Sequence, residues 1–176
     1  MGVHDDTDGC LDLLFEPPET ASKRPTIRRM PVIVVGADTP LGLSIVSALI
    51  EPDREVRAFV TDADVALSLK GRGVKVALGD VSDPSHVGGA CLNCFSAVLV
   101  TEAARDGRER AFAGDRRTVL EGWTEAVREA DVTRVIWVDT IGDLPSTGIE
   151  ETAVVDPETI DDVAAKVVRL DDAARL

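Results

Sequence analysis

The sequence contains no tyrosine, and aromatics of any kind make up 3% of its 176 residues. No phenol is therefore on hand as a tuned acid or base. Histidine is limited to His4 and His86, and cysteine to Cys10, Cys91 and Cys94. An odd cysteine count, without a secretory leader, argues against a disulfide scaffold. The one CxxC pair, Cys91-Leu-Asn-Cys94, falls short of the four ligands that zinc needs, so no metal site is expected. It lies in a passage from helix to strand and not at the opening of a helix, as a redox motif would. Two small buried thiols are the expectation. No apolar run approaches the ~20 residues of a membrane span. The opening MGVHDDTDGC has no basic stretch followed by an apolar one, so a cytoplasmic location is expected. Positive charge is scarce too: 19 Lys and Arg face 32 Asp and Glu, a formal net charge of −13. Such a surface repels phosphate backbones and anionic lipid, which argues against nucleic acid or membrane as partner.

Hydrophobic residues supply 44% of the chain, enough for one α/β core. Residues 1–30 show no sustained period and carry Pro17, Pro18 and Pro25, so they read as a mostly disordered tail. Leu11, Leu13, Leu14 and Phe15 make an apolar spot within it, either a loose arm or a segment that docks on a partner. Residues 31–176 read as one domain. Pro31–Val35 is a short β-branched run suited to a strand buried on both faces. A helix follows with Pro40 in its first turn and Leu41, Ile45, Ala48 and Leu49 at helical spacing. Strands are expected at 56–60, 74–78, 96–100 and 135–138. Helices are expected at 63–70, from Asp83-Pro84, over about 108–130, and from Asp156-Pro157. Residues 139–155 show little pattern. The alternation gives a doubly wound parallel sheet of about five strands, a single Rossmann-like α/β domain.

Between the first strand and its helix lies Gly36-Ala37-Asp38-Thr39-Pro40-Leu41-Gly42. A helix N-terminus favours the negative charge of a nucleotide pyrophosphate, and glycines let the backbone approach it. This turn resembles the G-A-T-G-x-x-G of the atypical short-chain dehydrogenase/reductases, in particular the NmrA-like NAD(P)-binding proteins. Glu55–Val60 is similar to that family's second strand. Gly79-Asp80-Val81 is similar to its stretch after the third strand, where the Asp lies near adenine. Ile160-Asp161-Asp162-Val163-Ala164 is similar to its late helix start. The resemblance implies a cofactor site made of Gly36, Asp38, Thr39, Pro40, Leu41, Gly42, Thr61, Asp62, Asp80, Val81 and Thr101.

The departures from that pattern matter as much. Thr39 replaces the middle glycine of the turn and adds a side chain where the pyrophosphate would approach. Asp38 adds a negative charge to the same loop; it could cap the helix, and it repels phosphate unless turned away. The Arg that grips a 2′-phosphate in the family is here Thr61, followed by Asp62. An acid there suits a ribose diol, which tilts the expectation to NAD over NADP. Asp62 reads equally well as the N-cap of the next helix.

Short-chain dehydrogenases typically use a Tyr and Lys four residues apart and a Ser after the fifth strand. Here the corresponding stretch is Asp139-Thr140-Ile141-Gly142, where either Asp139 or Thr140 could touch a ligand. Most of the family's later helix, sixth strand and substrate lobe find no counterpart in the sequence. His86 reads as solvated, and Trp123 and Trp137 as core or interface residues. The run Arg105–Arg110 reads as a solvated helix start; Arg116 and Arg117 follow on the same helix and could meet a partner's acids or a phosphate. No catalytic residue is assigned. The resemblance therefore implies a non-catalytic NAD(P)-binding protein, a redox or nucleotide sensor or an accessory subunit. Two alternatives stand: a small oxidoreductase completed by another chain, and an interaction module that has lost its cofactor. Assembly as a homodimer or with another protein is expected, with Trp123 on an open part of its helix.

Overall fold

The computed structural model describes residues 29–105, 111–140, 142–159 and 161–176. The tail expectation falls almost wholly outside these residues. Among the described residues six strands form one sheet in the order β3-β2-β1-β4-β5-β6, and every neighbouring pair is parallel. They are β1 (Arg29–Val35), β2 (Arg54–Val60), β3 (Lys75–Leu78), β4 (Ser96–Val100), β5 (Arg134–Val138) and β6 (Glu151–Val155). The helices are α1 (Pro40–Leu49), α2 (Ala63–Gly71), α3 (Pro84–Cys91), α4 (Arg116–Glu129) and α5 (Val163–Asp171). The doubly wound, Rossmann-like class read from the sequence is the observed one. Among the described residues no helix is long and apolar enough to cross a membrane.

The alternation of side chains along the strands builds two cores. Ile33, Val35, Phe59, Leu99, Val135 and Trp137 face α3 and α4. Val32, Val34, Ala58, Val98, Ile136 and Val138 face α1 and α5. Val32–Val35 of β1, together with β4 and β5, are buried on both faces because helices cover both, which is why these stretches run apolar without alternation.

Four expectations need correction. The sheet has six strands, not five, and the sixth lies within the stretch 139–155 that showed little pattern. β6 is an edge strand on which Val155 is buried and Val154 is 56% exposed, so its apolar signal is weak. Its pairing with β5 and the ion pair of Arg134 with Glu151 at 2.5 Å hold it in place. Secondly, α4 begins at Arg116 and not near residue 108. Asp115 caps it by accepting from Thr118 N at 2.9 Å, and described residues 111–115 are not helical. Of the run Arg105–Arg110, residues 106–110 lie outside the described residues. Thirdly, α5 begins at Val163 with Asp162 as its cap. Asp156 instead closes a turn, taking Glu158 N at 2.9 Å, so Asp-Pro acts here as turn chemistry.

Trp123 is also not on an open surface. It is fully buried, and its indole Nε1 donates to Val81 O at 2.7 Å. Cys91 and Cys94 are buried free thiols, as expected. Burial pushes the Cys91 thiol up to about 12 and the Cys94 thiol up to about 11.

Candidate dinucleotide site at the switch point

β1 and β4 are neighbours, yet the chain leaves them for opposite ends of the sheet. The carboxyl ends of such a pair bound the crevice where open α/β sheets take ligands. Gly36 follows β1 with a φ of +81°, a conformation that favours glycine. A Cβ there would lie 2.5 Å from Ala103 Cβ and 3.0 Å from Val100 O, so the turn after β4 lies directly against it. Gly42, in the first turn of α1, is tighter still: a Cβ there would lie 2.1 Å from Gly36 O. The two glycines thus close the turn upon itself.

The intervening residues resolve what the sequence left open. Thr39 is the N-cap of α1; its Oγ1 accepts from Gly42 N and donates to Gly36 O, each at 3.0 Å. The hydroxyl that replaces the middle glycine is therefore folded into the turn. Asp38 is turned towards β2, where its Oδ2 accepts from both Thr61 N and Thr61 Oγ1 at 2.7 Å. The first turn of α1 carries no acid. Pro40 gives up one donor at the helix start; among the described residues no acceptor takes the N–H of Leu41. A glycine-closed turn, an acid-free helix start and a carboxylate turned away fit a pyrophosphate.

Asp62 caps α2, its Oδ1 accepting from Asp64 N at 2.8 Å and Val65 N at 2.9 Å. The N-cap reading of Asp62 is thus realised through Oδ1 alone. Asp80 takes Ser82 N and Ser82 Oγ on one oxygen and Phe112 N on the other. It ties the loop after β3 to the segment before α4. Val81 is buried, its carbonyl bound by Trp123. His86 is half exposed and accepts from Asp80 N at 3.2 Å.

Past β4 and β5 the chain builds a cluster that the sequence only hinted at. Thr101 Oγ1 donates to Asp139 Oδ1 at 2.5 Å, with Val138 O as a longer second acceptor at 3.1 Å. Arg116 Nη2 donates to the same Oδ1 at 2.5 Å, and Gly142 N to Asp139 Oδ2 at 3.1 Å. Burial of Asp139 on its own would raise its pKa. The hydrogen bonds of Thr101 and Arg116, and the Arg116 charge, outweigh it and hold the carboxyl below the usual carboxylate range. Asp139 and Arg116 are 23 residues apart, and no local pattern links them. A cleft of about 310 Å³ opens beside the cluster, walled by Leu41, Val100, Val138 and Pro157 and edged by Glu102 and Arg105. It joins the glycine turn, through Leu41, to the ends of β4 and β5. Among the described residues no group of three His, Cys, Asp or Glu could hold a metal ion.

The sequence matches the family described as NAD(P)H-binding over residues 36–173. The chain belongs to the NAD(P)H-binding family. The match starts at the first glycine of the turn and runs through α5, so it spans the switch point and both cores. Among solved structures, the triphenylmethane reductase of Citrobacter sp. complexed with NADP(H) aligns with a TM-score of 0.52 at 17% identity, covering 81% of this chain and 46% of its own. NmrA, a negative transcriptional regulator in complex with NADP, aligns at 0.51 and 16% identity, covering 64% and 34%. ChuY, described as an anaerobillin reductase from Escherichia coli O157:H7, aligns at 0.50 and 20% identity, covering 81% and 62%. These likenesses are of fold, the NmrA-like one expected from the glycine turn. The chain spans between a third and under two thirds of the length of these proteins. No curated protein matches the sequence.

Proposed function

We propose that this domain of the NAD(P)H-binding family binds its dinucleotide as a sensor or accessory subunit and does not itself turn over a substrate. Gly36–Gly42 and the start of α1 would hold the pyrophosphate, and Thr61, Asp62 and Asp80 would flank the adenosine end. Bound nicotinamide supplies a hydride donor or acceptor; reducing a carbonyl also calls for a proton donor beside it. The observation that carries the non-catalytic reading is the state of Asp139. It stands after β5, where the resembling family has Ser, and three donors hold it as a carboxylate. With its pKa below the ordinary carboxylate range, it carries no proton to give at neutral pH. The sequence supplies no Tyr in its stead.

NAD is the favoured cofactor. The residues after β2, Thr61 and Asp62, bring no cation to a 2′-phosphate, and the second Asp62 oxygen remains to accept from a ribose diol. The open cleft favours one competing reading, an oxidoreductase whose acid is brought by another chain.

Calorimetry and thermal shift against NAD, NADH, NADP and NADPH test binding, since a ligand held only by the native state raises stability by about 2.7 kcal/mol at a hundredfold excess over Kd. Binding of NAD or NADH, with no reduction of carbonyl or quinone substrates near ~1 s⁻¹, is the expected result. Turnover at that rate by the purified chain would overturn the non-catalytic reading, and failure of all four dinucleotides to bind would leave an interaction module.

A further inference from the structure

Arg116 has more to offer than its bond to Asp139. A guanidinium carries five N–H donors in a rigid planar fork. One nitrogen, Nη2, bonds Asp139; among the described residues no acceptor takes the others. The partner is nearly inaccessible: the Asp139 side chain is 1% exposed, against 19% for Arg116. Thr101 Oγ1 and Gly142 N pin that carboxylate from two further directions, so it serves as a fixed anchor for the arginine. The arginine is thereby held at the edge of the cleft with unused donors.

The surroundings narrow what those donors can take. Arg116 and Asp139 compensate each other, and Arg105 and Glu102 on the rim are one charge of each sign. The lining is thus formally balanced and attracts anions at long range only weakly. Selection falls to the directional donors of the fork, which match two oxygens of a planar carboxylate. The remaining walls, Leu41, Val100, Val138 and Pro157, are apolar. A volume of about 310 Å³ lies at the small end of the ~300–1,000 Å³ typical of ligand pockets.

We propose that Arg116, aimed by Asp139, seats the carboxylate of a small monoacid with an apolar body, bound in the cleft beside the nicotinamide end of the dinucleotide. The placing beside nicotinamide rests on the function proposed above; the carboxylate seat rests on Arg116 and the cleft. Asp139 is a positioning residue, since it reaches the ligand only through Arg116.

Benzoate is a suitable probe, with benzamide as its uncharged counterpart, titrated by NMR into the full chain with and without NADH. Benzoate should bind at least ~10-fold tighter than benzamide. Arg116→Gln should remove that preference while leaving NADH affinity within about twofold. Because Arg116→Gln strips a buried carboxylate of its cation, Arg116→Lys serves as the second variant. It keeps the charge beside Asp139 but loses the fork, and should weaken benzoate several-fold in a folded protein. Equal binding of benzoate and benzamide, or benzoate binding unchanged in both variants, would overturn the seat. So would a loss of NADH affinity as large as the loss of benzoate, which would make Arg116 a dinucleotide contact. Benzoate selectivity that depends on Arg116 in a chain that binds no NADH would uphold the seat and remove only its nicotinamide neighbour.

Discussion

Asp38 Oδ2 sits 2.7 Å from both the backbone nitrogen and the hydroxyl of Thr61, so one carboxylate oxygen joins the turn after β1 to the end of β2. This contact converts a charge that would oppose phosphate into a brace for the turn. Asp38→Ala should lower the unfolding free energy by about 1–2 kcal/mol, since hydrogen bonds to an ionised group are lost at a half-buried site. Asp38→Asn keeps an acceptor and should lose less. Urea unfolding of the three proteins checks this; equal midpoints would show that the brace contributes nothing.

The glycines separate into those that space requires and those that it does not. Gly42→Ala places a Cβ 2.1 Å from Gly36 O, a backbone atom that can yield only by opening the turn. A loss of at least ~2 kcal/mol is expected, together with loss of dinucleotide binding. Gly42→Val, with its branched side chain, should be worse. Gly89, within α3, has nothing within 4 Å of such a Cβ. Gly89→Ala should therefore stabilise the protein by roughly 0.5–1 kcal/mol and leave binding unchanged. Thermal denaturation of the pair, with and without NADH, tests both halves of the contrast.

Asp139 should give the protein part of its acid sensitivity. Its folded pKa lies below the ordinary 3.8, so the native state favours the carboxylate more than the unfolded chain does. That contribution is fully present above the unfolded value and is lost as pH falls through the folded one. Asp139→Asn should lower stability at pH 7 by about 1–2 kcal/mol and flatten the decline below about pH 4. An unaltered acid limb in Asp139→Asn would show that the cluster is uncoupled from folding.

The two buried thiols act at the other end of the pH scale. Cys91 and Cys94 titrate at about 12 and about 11 in the folded chain, above the ordinary 9.0. Between those values the unfolded state has released protons that the native state keeps, so stability falls as pH rises beyond about 9. In a Cys10→Ser background, neither thiol should react with a disulfide reagent at pH 8 until the protein is denatured. Rapid modification of the native protein would contradict the buried placement of both.

The sequence by itself determined the Rossmann-like class, because β-branched runs at 31–35 and 96–100 and the Gly36–Gly42 turn are signals carried by neighbouring residues. Proline and aspartate placed the starts of α1, α2 and α3 for the same reason: a cap bonds within three residues of itself. Asp156-Pro157 misled on this ground, since the same chemistry also closes a turn. What tertiary structure decided lies across long separations. β6 exists because β5 offers it a ladder and Arg134 pairs with Glu151, and its own residues signal little. The buried ends of Arg54 and Arg134 hold the last turn of α5 through the carboxylates of Asp171 and Asp172 and the carbonyls of Leu170 and Asp171; no periodicity foretells this. Trp123 shares an apolar stripe with its neighbours, and only the packing of α4 on the loop after β3 makes it a buried donor to Val81 and not a surface patch. The cluster of Thr101, Arg116 and Asp139 joins the ends of β4 and β5 to the start of α4, elements set side by side by the parallel sheet and its crossovers. Hydrogen bonds between residues 23 and 38 apart follow from where the backbone returns, and a sequence read locally holds no record of that return.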